Sequence, residues 1–374
     1  LGLPGRLAFV QSLTQGQGGL VGLKGIRSLL LSADQKNLYV AASESGAVTH
    51  LQRFDDGWLW ATSQPVVGAA SLTWLPDETG LLATSEQDVV VLPIDPETRA
   101  VGVATPVANT TEHLVSWGDR VVAVEDEELR LYTWEGQGVT EQAIVNHSDL
   151  NGAGVGAFSP DGKFLYVTAY NENAVSVWAV TDTTITHTQT VSGKRGLNTP
   201  TGVAISPDGA FVYVSSMCDH DVAILSRDTS TGALSWVGSA HGEQPIPQDC
   251  GTVFDQDPSD QDSAEMTLIY PTAVDVSSDG SHVVVAAALG MAAIRYAVNG
   301  ASLAVADKLL DPPPYVDFNA SSDGKEGLST GWVEKYRGSG AVVAGITESF
   351  VGSQVTGAVG IMGNGEPAFV QHGL

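Results

Sequence analysis

The residues most able to do chemistry in this chain are gathered in one stretch. His241-Gly-Glu-Gln-Pro-Ile-Pro-Gln-Asp-Cys250 leads into Asp255, Asp257, Asp260, Asp262 and Glu265, so five carboxylates fall within eleven residues. Alternating aspartates in a loop suit Ca²⁺, a hard cation that takes about six to eight oxygen ligands. Asp255, Asp257, Asp260 and Asp262 are the expected ligands. The fit to a helix-flanked calcium loop is incomplete: the sixth place after Asp255 holds Asp260 rather than glycine, and Met266 stands where a closing glutamate belongs. A solvated acidic loop is the competing reading. Asp317-Phe-Asn319-Ala-Ser321-Ser-Asp323-Gly-Lys-Glu326 is a second oxygen-rich run of the same irregular kind.

Two cysteines complete this inventory, Cys218 in Met217-Cys218-Asp219-His220 and Cys250 in the acidic stretch. A disulfide between them would close a loop of about thirty residues, stabilise by roughly 3 kcal/mol and imply an oxidising compartment. Two free thiols are an alternative. So is zinc held by Cys218, His220, His241 and Cys250, whose types suit a tetrahedral site although their spacing matches no usual finger.

The elements that position these residues come from a repeat. Ser159-Pro-Asp-Gly-Lys-Phe-Leu-Tyr-Val167 returns as Ser206-Pro-Asp-Gly-Ala-Phe-Val-Tyr-Val214, and weaker copies place turn residues at Asp34, Asp77, Asp119, Asp161, Asp208, Asp279 and Gly338. The first five steps are 43, 42, 42, 47 and 71 residues. Within one period, Val203-Ala-Ile205, Phe211-Val-Tyr-Val214, Asp221-Val-Ala-Ile-Leu225 and Gly232-Ala-Leu-Ser-Trp-Val237 read as strands separated by turn chemistry. Proline presets the second turn position, and glycine accepts positive φ. Four antiparallel strands in about forty residues, repeated about seven times, predict an all-β, seven-bladed β-propeller over residues 1–374. Ring closure by a terminal strand is expected. Gly5-Arg-Leu-Ala-Phe-Val-Gln11 and Gly365-Glu-Pro-Ala-Phe-Val-Gln371 both match the outer strand of the fifth repeat, so two segments compete for one place.

Measured against that period, the chain is enlarged at 238–269 and 310–328, both between blades. Long insertions in an economical repeat are where function concentrates. Carboxylates also recur at the loops between second and third strands, at Glu44, Glu86, Glu125-Asp126-Glu127, Glu172 and Glu348. The face shared by these loops is therefore acidic.

The runs 5–43, 159–180 and 206–237 resemble the lactonase-like seven-bladed propellers, a family that includes 6-phosphogluconolactonase-type enzymes and secreted repeat proteins. The matching motifs build blades, and a fold does not carry a reaction by itself. A lactonase implied by the resemblance needs a base or metal-bound water and donors for the developing oxyanion. Loop position alone offers Arg27, Glu172, Arg195 and His220, with Lys24 beside Arg27. A glycine-rich phosphate loop, a serine nucleophile elbow and a haem attachment motif are absent from the sequence.

Forty-three acidic residues against seventeen basic ones give a net charge of −26 and a pI near 4.4. Such a surface repels nucleic acid. No apolar run is long enough to form a transmembrane helix. The start at Leu1 fits a processed form or a piece of a longer assembly. Together these features predict a secreted, periplasmic or cell-surface protein that binds a protein or glycan partner on its loop-rich face, with Ca²⁺ ordering the insertion. A lactone hydrolase working at the channel mouth is the alternative.

Overall fold

The structure, a computed structural model, describes residues 10–13, 20–54, 57–75, 78–108, 113–136, 138–241, 268, 270–287, 292–310, 341–344, 359–362 and 367–370. The fold is an all-β propeller of four-stranded antiparallel blades. Six sheets follow the chain in simple order, over 26–65, 72–108, 113–146, 153–192, 200–241 and 271–310, and are numbered here as blades one to six. A further four-stranded sheet draws on both ends of the sequence.

Second strands such as Asn37–Ala42 and Phe164–Ala169 are buried at every position. Both of their faces are covered, so they read as unbroken apolar runs rather than as alternation. Outer strands are different. Leu234–His241 buries only Leu234 and Ala240, as expected of a strand with one edge in water.

The chain divides into two compact units, Leu1–Ala123 with Tyr132–Glu141 and Asp311–Leu374, and Val124–Leu131 with Gln142–Leu310. In the first, blades one and two share a core around Tyr39, Val48, Leu72, Leu81 and Leu92. In the second, Tyr166, Val177, Val203, Val214 and Leu225 join blades four and five, and Tyr213, Ile224, Val274, Val285 and Tyr296 join five and six. Two histidines are buried in the first unit. His50 stacks on Tyr39 at 5.0 Å and meets Asn37 Oδ1 at 2.9 Å, while His113 lies 3.4 Å from Ser71 Oγ.

The repeated turn is a hydrogen-bonded unit. In blade four the Gly162 N–H donates to the Ser159 carbonyl at 2.8 Å, with Gly162 at φ +66°. The Ser159 hydroxyl donates to Asp161 at 2.6 Å and accepts the Phe164 N–H at 3.0 Å. Ser32, Ser206 and Ser277 repeat this with Asp34, Asp208 and Asp279. The aspartates are therefore occupied in holding turns, and hydrogen bonds led by Ser277 hold the Asp279 carboxyl down to about 2. Asp77 and Gly338 lie outside the described residues.

Third turns are clasped from the preceding blade. Tyr39 donates to the Arg99 carbonyl and Tyr166 to the Gly232 carbonyl, both at 2.9 Å. Gly232 has φ +74°, and a Cβ there would sit 2.3 Å from the Phe164 ring. Arg227 completes the joint. Its side chain is 2% exposed and donates from Nε to the Tyr166 hydroxyl at 2.5 Å and from Nη1 to the Gly209 carbonyl at 3.0 Å. Its third nitrogen reaches Asp161 at 3.5 Å.

Two expectations change. Val10–Leu13 pairs in parallel with Ala341–Ala344, whereas Pro367–Val370 lies at the opposite edge of that sheet beyond Val359–Met362. The two terminal segments therefore hold opposite edges instead of competing for one place. The insertions also begin later than the repeat implied, since outer-strand pairing continues through His241 in blade five and Leu310 in blade six. On the outer strand of blade five Trp236 is 39% exposed, whereas Trp178 on the third strand of blade four is fully buried. Among the described residues, no helix is long and apolar enough to cross a membrane.

Candidate functional site

The loops between second and third strands share a backbone plan that explains what the candidate residues do. The residue just before the third strand has positive φ in four blades: Gly46 at 57°, Glu127 at 62°, Asn173 at 52° and His220 at 54°. Each also receives an N–H from the entry to the next blade. Gly46 and Glu127 accept it on their carbonyls, from Val66 and His147. Asn173 accepts it on Oδ1 from Thr199 at 2.8 Å, and His220 on Nδ1 from Tyr270 at 3.2 Å.

His220 is 1% exposed. Burial holds its pKa below the ordinary value, against the opposing pull of Asp221 and Asp219. The neutral ring accepts at Nδ1, so its proton resides on Nε2. Among the described residues that Nε2 has no hydrogen-bond partner. A buried donor without an acceptor is costly unless something else engages it.

Asp219 and Asp221 flank this histidine. Asp219 accepts the backbone N–H groups of Gly196, Leu197 and Asn198 at 2.5, 3.1 and 3.2 Å, filling an anion-binding nest with the protein's own carboxylate. Asp221, fully buried, accepts from Arg195 Nε at 2.5 Å and from Ser239 at 2.9 Å on Oδ2. Its Oδ1 has no partner among the described residues. Hydrogen bonding to Asp221 holds the Arg195 guanidinium above its usual range. Neither aspartate was singled out from the sequence, because nothing in Cys-Asp-His-Asp distinguishes a buried carboxylate from the many solvated ones.

The other candidates have partners of their own. Glu172 is exposed and accepts from Asn151 at 2.9 Å. Arg27, in the first unit, is half-buried and donates to Ser43 at 3.1 Å, and burial holds its guanidinium below the usual range. Lys24 pairs with Glu44 at 3.1 Å on the surface. The structure thus gathers Arg195, His220 and the aspartates around blade five but gives Glu172 a separate hydrogen-bond network. Asp255, Asp257, Asp260 and Asp262 lie outside the described residues, as do Cys250 and Glu348. Cys218 is 6% exposed. Among the described residues, the zinc set imagined around Cys218, His220 and His241 is not assembled: the ligand atoms that do converge belong to His147, Asp149 and His187.

The family described as "Lactonase, 7-bladed beta-propeller" matches residues 118–261. This stretch includes the loops around His220. Over that stretch, which is less than half of the chain, the blades are similar to those of this family. Among solved structures, the chain is similar to a putative 6-phosphogluconolactonase from Bacteroides uniformis, at 16% identity and TM-score 0.60 over 75% of this chain and 84% of that one. It is equally similar to the periplasmic gluconolactonase of Pseudomonas aeruginosa, at 17% identity and TM-score 0.60 over 75% and 84%. A Lactobacillus plantarum protein aligns at 16% identity and TM-score 0.61 over 79% and 88%. No curated protein matches the chain by sequence. Identities this low establish the shared lactonase-like fold, while chemistry must be argued from the site.

Proposed function

We propose that this lactonase-like propeller is a lactone hydrolase acting at the loops of blade five, on the cyclic ester of a sugar acid. The observation that carries this reading is the buried, neutral His220, whose Nε2–H has no hydrogen-bond partner among the described residues. A donor of that kind suits a carbonyl oxygen that gains negative charge as water attacks. His220 is accordingly an electrophilic donor, not the base that its type first suggested. Asp221 Oδ1 is the acceptor assigned to the attacking water's proton. Water oxygen bonds to the carbonyl carbon, the ring C–O bond breaks, and the proton passes to the ring oxygen to give the open hydroxy acid. A 6-phosphogluconolactonase-type protein in Bacteroides and a gluconolactonase in Pseudomonas, both of similar fold, support the same substrate class.

His220→Asn is the decisive variant. Asparagine already serves this backbone position in blade four, where it accepts the same strand-entry N–H, so the substitution can keep that contact while removing the Nε2 donor. Hydrolysis of a hexono-δ-lactone, followed by base uptake at constant pH, is expected to slow at least about a hundredfold with an unchanged melting midpoint. Full activity in the variant, or no rate above the uncatalysed one in the parent, would overturn the proposal.

We also assign a Cys218–Cys250 disulfide as the staple of the insertion beside this site. Cys218 is buried, and no cysteine among the described residues is a free thiol. Peptide mapping of the oxidised protein without reductant should recover the two cysteines joined. Maleimide labelling of either one in that sample would reject the pairing.

A further inference from the structure

His147, Asp149 and His187 form a cluster outside the blade-five loops. His147 caps the 3-10 turn Ser148–Leu150, which carries Asp149, and His187 lies on the outer strand Ile185–Ser192 of blade four, opposite Trp178. The imidazole centroids are 4.3 Å apart. His147 Nδ1 accepts the Asp149 backbone N–H at 3.2 Å, leaving Nε2 as its other ring nitrogen, and lies 3.8 Å from Asp149 Oδ1, while His187 Nε2 lies 3.6 Å from Asp149 Oδ2. One ligand atom from each residue falls within 4.8 Å of the others.

The two separations from the Asp149 carboxylate are too long for direct hydrogen bonds. They are close to the roughly 3.3 Å edge that metal–ligand bonds of about 2.0 Å impose around a tetrahedral ion. All three side chains are half-buried, at 26% to 33% exposure, which gives an ion access while fixing the rings. Thr190 supplies a supporting contact: its hydroxyl donates to Asp149 Oδ2 at 2.5 Å and lies 2.8 Å from His187 Nε2. A hydroxyl on the far carboxylate oxygen is a common way to orient a ligating carboxylate.

We propose that His147, Asp149 and His187 bind a borderline divalent transition metal, with Zn²⁺ as the natural candidate. Two imidazoles and one carboxylate suit Zn²⁺, Ni²⁺ or Cu²⁺ and disfavour Ca²⁺, which wants an all-oxygen shell. The ion fastens the connection entering blade four to that blade's outer strand. It does not take part in the hydrolysis proposed above, and its test does not depend on that activity. Trp178 provides a reporter, since its buried ring lies edge-on to His147 at 5.5 Å and 5.0 Å from His187.

The test is calorimetric titration of the full chain with ZnCl₂ at pH 7.5, paired with thermal melting and with Cu²⁺ quenching of tryptophan emission. One equivalent is expected to bind and the melting midpoint to rise. The His147→Gln, His187→Gln double variant should weaken binding roughly a hundredfold or more while keeping its own metal-free midpoint. Trp178→Phe should remove most of the quenching. No binding of any of the three metals by the parent chain overturns the proposal, as does undiminished binding by the double variant, which would place the metal elsewhere.

Discussion

Replacing Arg227 with alanine is expected to lower unfolding stability by about 3–5 kcal/mol. The guanidinium is the hub where blades four and five meet: it spans the Tyr166 hydroxyl, the Gly209 carbonyl and Asp161, and its plane lies 5.4 Å from the Phe164 ring. Deleting it leaves a buried carbonyl unmatched and opens a void beside two aromatic rings, and both effects destabilise. Asp161 is less affected, because its side chain is 36% exposed and water can take over. Arg227→Met refills the volume and should recover part of the loss, whereas Arg227→Lys, lacking the planar fork, should not restore the two-sided bond. Denaturant midpoints compare the three directly. An alanine variant within about 1 kcal/mol of the parent would show that the joint between these blades rests on apolar packing alone.

Acid is expected to weaken the fold well before its carboxylates titrate. Burial pushes His113 down to about 4, and burial, aided by the positive charge of Arg99, does the same for His50. Both are neutral in the fold, while the unfolded chain takes up protons near the ordinary histidine value of about 6.5. The unfolded state thus binds more protons across this interval, and stability must rise with pH. The contribution is fully present above about pH 6.5 and is lost progressively as pH falls towards 4. For His113 the loss approaches roughly 3 kcal/mol, and the depressed values of His220 and His282 act in the same direction. Asp228 and Asp279, held down to about 2 by hydrogen bonds, lose theirs only at lower pH, which separates the two effects. Unfolding free energies from pH 7.5 to 4 should flatten in His113→Gln and flatten further with His50→Gln added. An unchanged slope in the double variant would remove these histidines from the account.

Much of the fold was legible because the repeated turn performs one physical task. The hydroxyl bridge needs only a serine and an aspartate two residues apart, as in Ser159 and Asp161 or Ser32 and Asp34, with positive φ at the next position, so the recurrence of that pair marked each hairpin wherever it stayed intact. Blades with degenerate turns still followed the period, since their buried second strands kept the apolar run. What the repeat could not reveal was which apolar strand takes which edge, as Val10–Leu13 and Pro367–Val370 show. The site was legible only in part. Loop position found Arg195 and His220, but the role of His220 depends on its burial and on the N–H of Tyr270, fifty residues away in sequence. The triad of His147, Asp149 and His187 escaped notice for the same reason: a histidine two residues from an aspartate is unremarkable until a strand from the next blade brings a second imidazole beside it.

The blades are fastened differently at their two ends. Tyr39, Tyr166 and Arg227 work where the first and third turns lie, so residues there are bound to particular partners in the neighbouring blade. At the opposite end the next blade is joined through backbone N–H groups at its strand entry, accepted by a backbone carbonyl at Gly46 and Glu127 and by a side chain at Asn173 and His220. That end tolerates changes of length and lettering without unpicking a joint. Foreign segments grafted after His241 or Leu310 should therefore be carried as passengers, while the same segments spliced at Gly162 or Gly232 should dissolve the seam between blades four and five.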